Sequence, residues 1–339
     1  MPINIDKPSK YFDTKLYTGT GSSQSINGLE FSPNMVWIKN RSSATSHQLF
    51  DSVRGVQKAL FTNGTDAEET NANFLTAFNS DGFTVGTSSG INGSGNSIVA
   101  WNWLAGGTGV SNTAGSITST VSANTTSGFS VGKTTGTLSS GTITVGHGLG
   151  VAPSMILWKR TDGTSNWQVY HKSTGTNLMQ LNTTGAVVSG SYWGTMSSTT
   201  FTVSNSLYGS GETYAFYCFA EVKGYSKFSS YTGNSNADGT FVYTGFKPAF
   251  IMVKATGGTE GWVMLDNKRA NTFNAVNGRL RANVADAEET NVVVCDFVSN
   301  GFKFRFSDGA WNSSSYTYIY MAFSESPFVS SKGIACTAR

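Results

Sequence analysis

The strongest constraint on the fold is a threefold internal repeat within the 339-residue chain. One block begins with proline, continues as an apolar run and ends with lysine, and it occurs as Pro33–Lys39, Pro153–Lys159 and Pro248–Lys254. The proline-to-lysine interval is the same in all three copies. Each copy lies in a segment of roughly 100 residues, the size of a whole domain. The repeat therefore predicts three related domains in tandem, here called units one, two and three.

Further blocks recur in the units. A phenylalanine opens a short strand-like run in each, and a second apolar run closes each unit. These blocks are Phe83, Phe201 and Phe302, followed by Ser97–Trp101, Tyr214–Phe219 and Tyr318–Phe323. The hexapeptide Asp66–Asn71 recurs letter for letter at Asp286–Asn291, whereas unit two lacks it. We expect domain bounds of 1–108, 109–223 and 224–328, with a C-terminal tail at 329–339.

The composition predicts an all-β fold of three tandem antiparallel β-sandwich domains, jelly-roll-like in topology. Charged residues make up 13% of the chain and aromatics 13%, and glycine is abundant at 39 residues. This mixture favours strands and turns over helices. Alternation such as Phe302, Phe304 and Phe306 is typical of a strand with one buried face. The continuous apolar runs predict strands buried on both faces, with Trp37 and Trp158 in the core; Val253 is expected there as well.

The two joints between units differ in sequence. A glycine-rich segment, Ala105–Gly115, separates units one and two, whereas the much shorter Glu221–Tyr225 separates units two and three. Glycine-rich linkers are flexible. We therefore expect units two and three to pack tightly and the first joint to be looser.

Charge and hydropathy argue against several classes of partner. The net charge is +3 without a basic cluster, so we expect no binding to nucleic acid. No stretch approaches the ~20 apolar residues of a membrane span, and Met1–Lys7 lacks the apolar core of a signal peptide. The three cysteines, Cys218, Cys295 and Cys336, give no disulfide framework and are expected to be free thiols.

Catalytic and transition-metal motifs are weak. Gly86–Gly90 matches a nucleophile-elbow pattern, but the sequence after it reads as a loop where the elbow requires a helix. The histidines, His47, His147 and His171, show no metal-ligand spacing. We expect no enzymatic activity, no catalytic residues, no metal and no cofactor.

The repeated hexapeptide carries the most prominent polar groups in the chain. They are Asp66, Glu68 and Glu69, with their copies Asp286, Glu288 and Glu289. Its surroundings predict one turn of helix or a charged loop. Three roles remain open: structural capping or solvation, calcium binding and acid–base catalysis by paired carboxylates. Its absence from unit two argues against one essential reaction shared by the units.

Four tryptophans near predicted loops are candidate ligand or surface contacts: Trp167, Trp193, Trp262 and Trp311. Exposed aromatic rings beside Asn, Asp and Ser suit stacking on sugar rings. The alternative is packing in the core or between domains.

Several segments resemble a virion protein family of marine tailed phages, and the likeness covers nearly the whole chain. The segments are Lys7–Gly21, Phe31–Arg41, Phe50–Gly55, Ala100–Trp103, Gly146–Pro153, Ser326–Ile334 and Thr337–Arg339. The resemblance implies a structural protein of the tail-fibre or receptor-binding type, located in the virion and assembled in the host cytoplasm. It supplies no catalytic residues. Expected partners are other virion proteins and a host surface glycan.

The expected function is therefore non-enzymatic assembly and host attachment, by a homo-oligomer. Low charge suits chain-to-chain packing, and closed cyclic symmetry is the usual form of assembly. The resemblance to fibre-like proteins implies a homotrimer. A capsid decoration protein, a carbohydrate-binding module protein and a glycan-cleaving enzyme are the alternatives.

Overall fold

The computed structural model describes residues 5–137, 141–269 and 274–326. Strands account for 44% of the chain and helices for 3%, and the ladders between strands are antiparallel. Helical structure in the described ranges consists of α1 (Ser89–Asn92) and two 3-10 turns, Pro8–Lys10 and Lys172–Thr174. The expectation of an all-β, antiparallel fold is confirmed.

Unit one forms a six-stranded sheet of order β1-β9-β3-β4-β5-β6 and a three-stranded sheet of order β2-β8-β7. Its strands are β1 (Phe12–Thr18), β2 (Gln24–Ile26), β3 (Met35–Asn40), β4 (Gln48–Asp51), β5 (Lys58–Phe61), β6 (Glu69–Thr70), β7 (Leu75–Asn79), β8 (Gly82–Val85) and β9 (Ser97–Trp103).

Unit two forms a seven-stranded sheet, β10-β11-β12-β19-β14-β15-β16, and a three-stranded sheet, β13-β18-β17. Its strands are β10 (Val110–Asn112), β11 (Ser119–Asn124), β12 (Phe129–Thr135), β13 (Thr142–Gly146), β14 (Met155–Arg160), β15 (Gln168–His171), β16 (Met179–Gln180), β17 (Trp193–Met196), β18 (Thr200–Ser204) and β19 (Thr213–Phe219).

Unit three forms a five-stranded sheet, β20-β27-β22-β23-β24, and a three-stranded sheet, β21-β26-β25. Its strands are β20 (Ser226–Thr232), β21 (Phe241–Tyr243), β22 (Lys247–Ala255), β23 (Val263–Asp266), β24 (Leu280–Arg281), β25 (Cys295–Val298), β26 (Gly301–Phe304) and β27 (Thr317–Ser326). The predicted tail at 329–339, with Cys336, lies outside the described residues.

The three large sheets share five strands in one order, and the proline-to-lysine run supplies the third strand of each set. Lys39, Lys159 and Lys254 lie one residue before the end of β3, β14 and β22. This equivalence, which the repeat predicts, is confirmed. The hairpin β10–β11 is the addition that distinguishes unit two within the described residues.

Each large sheet has two buried faces. One face packs on the three-stranded sheet of its own unit and forms an outer core there. The other faces of the three sheets meet in a single central core. Trp103, Phe219 and Phe323 occupy equivalent positions in the three units, and their ring centroids lie 5.7 to 6.3 Å apart. The units therefore surround a common apolar axis with approximate threefold symmetry.

The continuous apolar runs are buried on both faces, as predicted. Trp37 is 2% exposed and belongs to the central core, while Trp158 and Val253, at 0% and 1%, belong to outer cores. These three core assignments are confirmed.

The expectation of a looser joint between units one and two is wrong. Unit one packs on units two and three through the same central core. Ala105, at the start of the glycine-rich segment, is 3% exposed and donates its N–H to Asn34 at 2.8 Å. Apolar faces on the sheets determine how the units pack, and the composition of the linker does not.

The described thiols are buried, and burial raises the pKa of Cys218 and Cys295. Both are free, as the sequence predicts. No helix within the described ranges is long and apolar enough to cross a membrane.

Candidate functional site

The three units are joined by a repeated set of contacts, here called the clasps, that close them into a ring. In each clasp a loop of one unit donates a backbone N–H to a carbonyl just after the proline-to-lysine run of the next. The pairs are Glu68 to Thr161 at 2.8 Å, Val187 to Thr256 at 2.8 Å and Glu288 to Arg41 at 2.9 Å. These bonds run from unit one to two, from two to three and from three to one.

The repeated lysines belong to the same clasps. Each ammonium group donates to a backbone carbonyl of a neighbouring unit: Lys39 to Ala285 at 2.9 Å, Lys159 to Thr65 at 2.9 Å and Lys254 to Thr184 at 3.2 Å. All three side chains are buried, and this burial lowers the pKa of each to about 8. The constant spacing of the block places a cation at each interface.

Two of the four candidate tryptophans also contribute to the clasps. The indole of Trp167 donates to the carbonyl of Phe61 at 2.8 Å, and that of Trp262 to Gln180 at 2.9 Å. His47, fully buried, holds the corresponding position in unit one.

Of the two roles left open for the four tryptophans, the surface role is wrong. Trp167 and Trp262 lie in the central core, while Trp193 and Trp311 lie in the outer cores of units two and three. Each is at most 1% exposed. No face of these indoles is open to a sugar, so packing in the core or between units is their role.

The hexapeptide carboxylates neutralise buried arginines. In unit three, Arg269 is bound by Glu288 at 2.5 Å and by Asp266 at 2.6 Å, and none of the three side chains is more than 3% exposed. Burial lowers the pKa of Arg269, but the two carboxylates outweigh this effect and raise it.

Unit one repeats this ion network with Arg54 between Asp51 at 2.5 Å and Glu68 at 2.9 Å. Unit two has His171, Thr174 and Val187 at the corresponding positions. All members of the network are therefore replaced together in unit two, which also lacks the hexapeptide and has no arginine at this position to neutralise.

The aspartates and His171 also bond across unit boundaries. Asp266 accepts from the Trp101 indole at 2.9 Å, and Asp51 accepts from the Tyr217 hydroxyl at 2.7 Å. In the third interface, Nε2 of His171 lies 3.2 Å from the carbonyl of Tyr320, which can only accept. Burial lowers the pKa of His171 to about 4, so it is neutral and Nε2 carries the proton.

The structure supports the structural role of the hexapeptide over the calcium and catalytic alternatives. It is extended rather than helical in both copies, and in unit one it includes the short strand β6. Glu289 binds Arg279 and Arg281, and Arg281 also binds Asp286. Among the described residues, no group of three or more His, Cys, Asp or Glu could hold a metal ion.

The nucleophile-elbow pattern begins directly after β8, and its last two residues, Ser89 and Gly90, lie in α1, so a helical turn is present where the sequence predicts a loop. This turn places Asn92, which is fully buried and binds Thr20, Ser22 and Gly86. Ser88 has no hydrogen bond to a histidine in the described part of the chain. The segment therefore serves the folding of unit one.

The buried lysines give the stability of the protein a specific pH dependence. The folded pKa of Lys254, about 8, lies below the unfolded value of about 10.4. The unfolded chain binds more protons between these values, so this lysine adds stability as pH rises through that window. The advantage of the wild type over Lys254→Met should grow by about 3 kcal/mol between the two limits.

Urea denaturation at a series of pH values measures this difference. The comparison with Lys254→Met cancels the opposing contributions of the cysteines and tyrosines, which titrate in the same range. Lys10→Met, at an exposed lysine, is the control and should show no such trend. A pH-independent difference for Lys254→Met would contradict the lowered pKa of the buried amine.

A groove lies between units one and two, with a volume of about 600 Å³. Unit one contributes Arg54, Lys58 and Glu68, and unit two contributes Lys133, Tyr214 and a series of threonines. The volume is within the range of about 300–1,000 Å³ that is typical of ligand sites. The sequence does not reveal this groove, because its walls come from two units.

The partners of the hexapeptide were not predicted either, although the sequence contains a signal for them. Asp51 and Arg54 share the Asp-x-x-Arg spacing with Asp266 and Arg269. Units that carry this spacing also carry the hexapeptide, and unit two has neither.

Comparison with known families gives a match that covers all three units. One family model, Domain of unknown function (DUF7483), matches residues 7–327. The chain belongs to this family. No curated protein and no solved structure matches the chain.

Proposed function

We propose that the protein is a non-enzymatic structural protein of a phage virion, of the tail-fibre or receptor-binding type, acting in assembly and host-surface attachment. Each unit would be a jelly-roll-like β-sandwich. The observation that supports this most is the use of the repeated polar groups: the clasps and ion networks hold the ring together. Such a scaffold suits a load-carrying particle component, and the resemblance to phage virion proteins points the same way.

A second candidate, capsid decoration, is favoured by an apolar surface on unit three. Phe241 and Tyr243 alternate on β21 and are 45% and 55% exposed. The strand registers of the three small sheets show which positions are equivalent to Phe241. These positions hold Thr144 in unit two and Ser25 in unit one. Exposed aromatic pairs of this kind mark contacts with other proteins. This face would seat the ring on another virion protein.

The homotrimer remains part of the proposal. The clasps and the central core bury large apolar faces within one chain, so the low charge needs no second chain to explain it. The oligomer therefore rests on the resemblance to fibre-like proteins. Light scattering on the purified protein would give three times the 36.0 kDa chain mass if the trimer forms.

Antibody labelling of purified phage particles tests the location. We expect label at the tail, whereas label over the head would replace attachment with capsid decoration. Absence of the protein from particles would contradict both. Incubation with the host surface polysaccharide, followed by sizing of the glycan, tests the activity. We expect unchanged glycan length, and shortening by the protein would contradict the non-enzymatic assignment.

A further inference from the structure

The groove between units one and two breaks the approximate threefold symmetry of the ring. One of its walls is formed by β12 together with residues 118–120 at the start of β11. The hairpin β10–β11 has no counterpart among the described strands of units one and three. The other two interfaces thus show which contacts a clasp requires. The clasp therefore does not explain the features found only at the groove, such as the wall to which β11 contributes.

A substitution at the clasp leaves the groove open. At the interface of units three and one, Arg41 donates from Nε to Glu288 at 2.7 Å. The corresponding residue at the groove is Thr161, whose short side chain bonds to Thr213 at 2.7 Å instead. Glu68 faces Lys58 at 3.2 Å in place of an arginine from the neighbouring unit. Space that a guanidinium fills at one interface is therefore accessible at this one.

Two lysines of the groove have no cationic counterpart at the equivalent positions of the other units. According to the strand registers, the position of Lys133 is occupied by Leu16 in unit one and by Ser230 in unit three. The position of Lys58 is occupied by Asn177 in unit two and by Gly278 in unit three.

The groove lysines are accessible to a ligand. Lys133 is exposed, and no acceptor among the described residues binds its amine, while the side chain of Lys58 is 41% exposed. The lining as a whole carries three cationic side chains and one carboxylate. Arg54 is already neutralised by Asp51 and Glu68, so the accessible positive charge is that of the two lysines. The clasp does not need these lysines, because the other interfaces close without them.

The rest of the lining offers hydroxyl groups. Thr118, Thr135 and Thr137 line the groove and are exposed. Tyr214 is 3% exposed, and its hydroxyl is bonded within unit two. The groove therefore lacks an open aromatic ring on which a nucleobase could stack. Hydroxyl groups both donate and accept hydrogen bonds, so they match a ligand that is itself rich in hydroxyls.

We propose that this groove binds an acidic oligosaccharide. Lys133 and Lys58 bind the carboxylate of the sugar, and the threonine hydroxyls bind its hydroxyl groups. This inference rests on the proposed attachment function and names the class of glycan for it. The groove places the binding site at a joint that the clasps hold rigid, so little ordering of the protein opposes binding.

Calorimetric titration of the intact protein at low ionic strength tests the proposal. The probes are tetragalacturonate, neutral maltotetraose and a short oligothymidylate. We expect binding of tetragalacturonate alone, weakened by added salt. The variants Lys133→Leu and Lys58→Asn introduce residues that the chain itself has at equivalent positions. Each should weaken binding by about three- to tenfold, whereas Lys10→Leu, at an exposed lysine outside the groove, should leave it unchanged.

Failure to bind tetragalacturonate would overturn the proposal. So would equal or tighter binding of maltotetraose or of oligothymidylate, or unchanged binding by both groove variants. Thermal melts of the variants should match the wild type, which separates lost binding from lost folding. The particle-labelling experiment is independent, so an absence from virions would remove the attachment function while leaving the groove chemistry standing.

Discussion

Replacing Asp266 with Asn will lower the free energy of unfolding by about 3–5 kcal/mol, because it leaves a buried cation without one of its two partners. Arg269 has a fully buried side chain and binds Asp266 and Glu288. Asp266 also accepts from Trp101 of unit one, so the substitution disturbs a contact between units. Urea denaturation of the purified variant measures the loss.

Asp286→Asn is the matched control, since this carboxylate in the hexapeptide is 60% exposed and binds Arg281 at the surface. It should cost less than about 1 kcal/mol. A loss equally small for Asp266→Asn would contradict the buried network.

The chain itself supplies a rescue for this variant. Unit two replaces the entire network with histidine, threonine and valine. Asp266→His combined with Arg269→Thr and Glu288→Val removes the buried arginine together with both carboxylates. Arg41 also binds Glu288, so Arg41→Thr is added, which is the residue that units two and three have at this position. This quadruple variant should be more stable than Asp266→Asn alone, because no unpaired charge remains buried.

Truncating Trp103 to Ala will cost about 3–5 kcal/mol, since it opens a cavity where the three sheets meet. The ring is 1% exposed and contacts Phe219 of unit two and Phe323 of unit three. Because all three units share this packing, the variant should lower the melting temperature of the whole protein. Calorimetry measures the effect, and Phe306→Ala, at a 59% exposed residue, should change stability by less than about 0.5 kcal/mol.

The internal repeat made much of the fold predictable. Equal spacing in the proline-to-lysine runs placed three strands and three lysines at equivalent positions, and continuous apolar sequence identified strands buried on both faces. The closure of the ring could not be predicted in the same way. A tandem repeat describes each unit, whereas the clasps form between residues such as Lys39 and Ala285, 246 positions apart.

The candidate site was less predictable, because sequence position near a loop does not determine exposure. Trp167 and Trp262 stand just before the strands β15 and β23, and each points into a neighbouring unit to reach a backbone carbonyl. The hexapeptide was identified correctly as a polar constellation with a structural role among its alternatives. Its partners could not be predicted, because the sequence does not show whether an arginine is buried or exposed.

The central claim is that three repeated units form one cooperative structure, closed by the clasps around a shared core. Differential scanning calorimetry of the intact chain tests it most directly. We predict a single transition whose calorimetric and van't Hoff enthalpies agree, as for a two-state protein, and one that shifts as a whole in Trp103→Ala. Two or three resolved transitions, with only one displaced by the substitution, would show independent domains in tandem and contradict the closed ring.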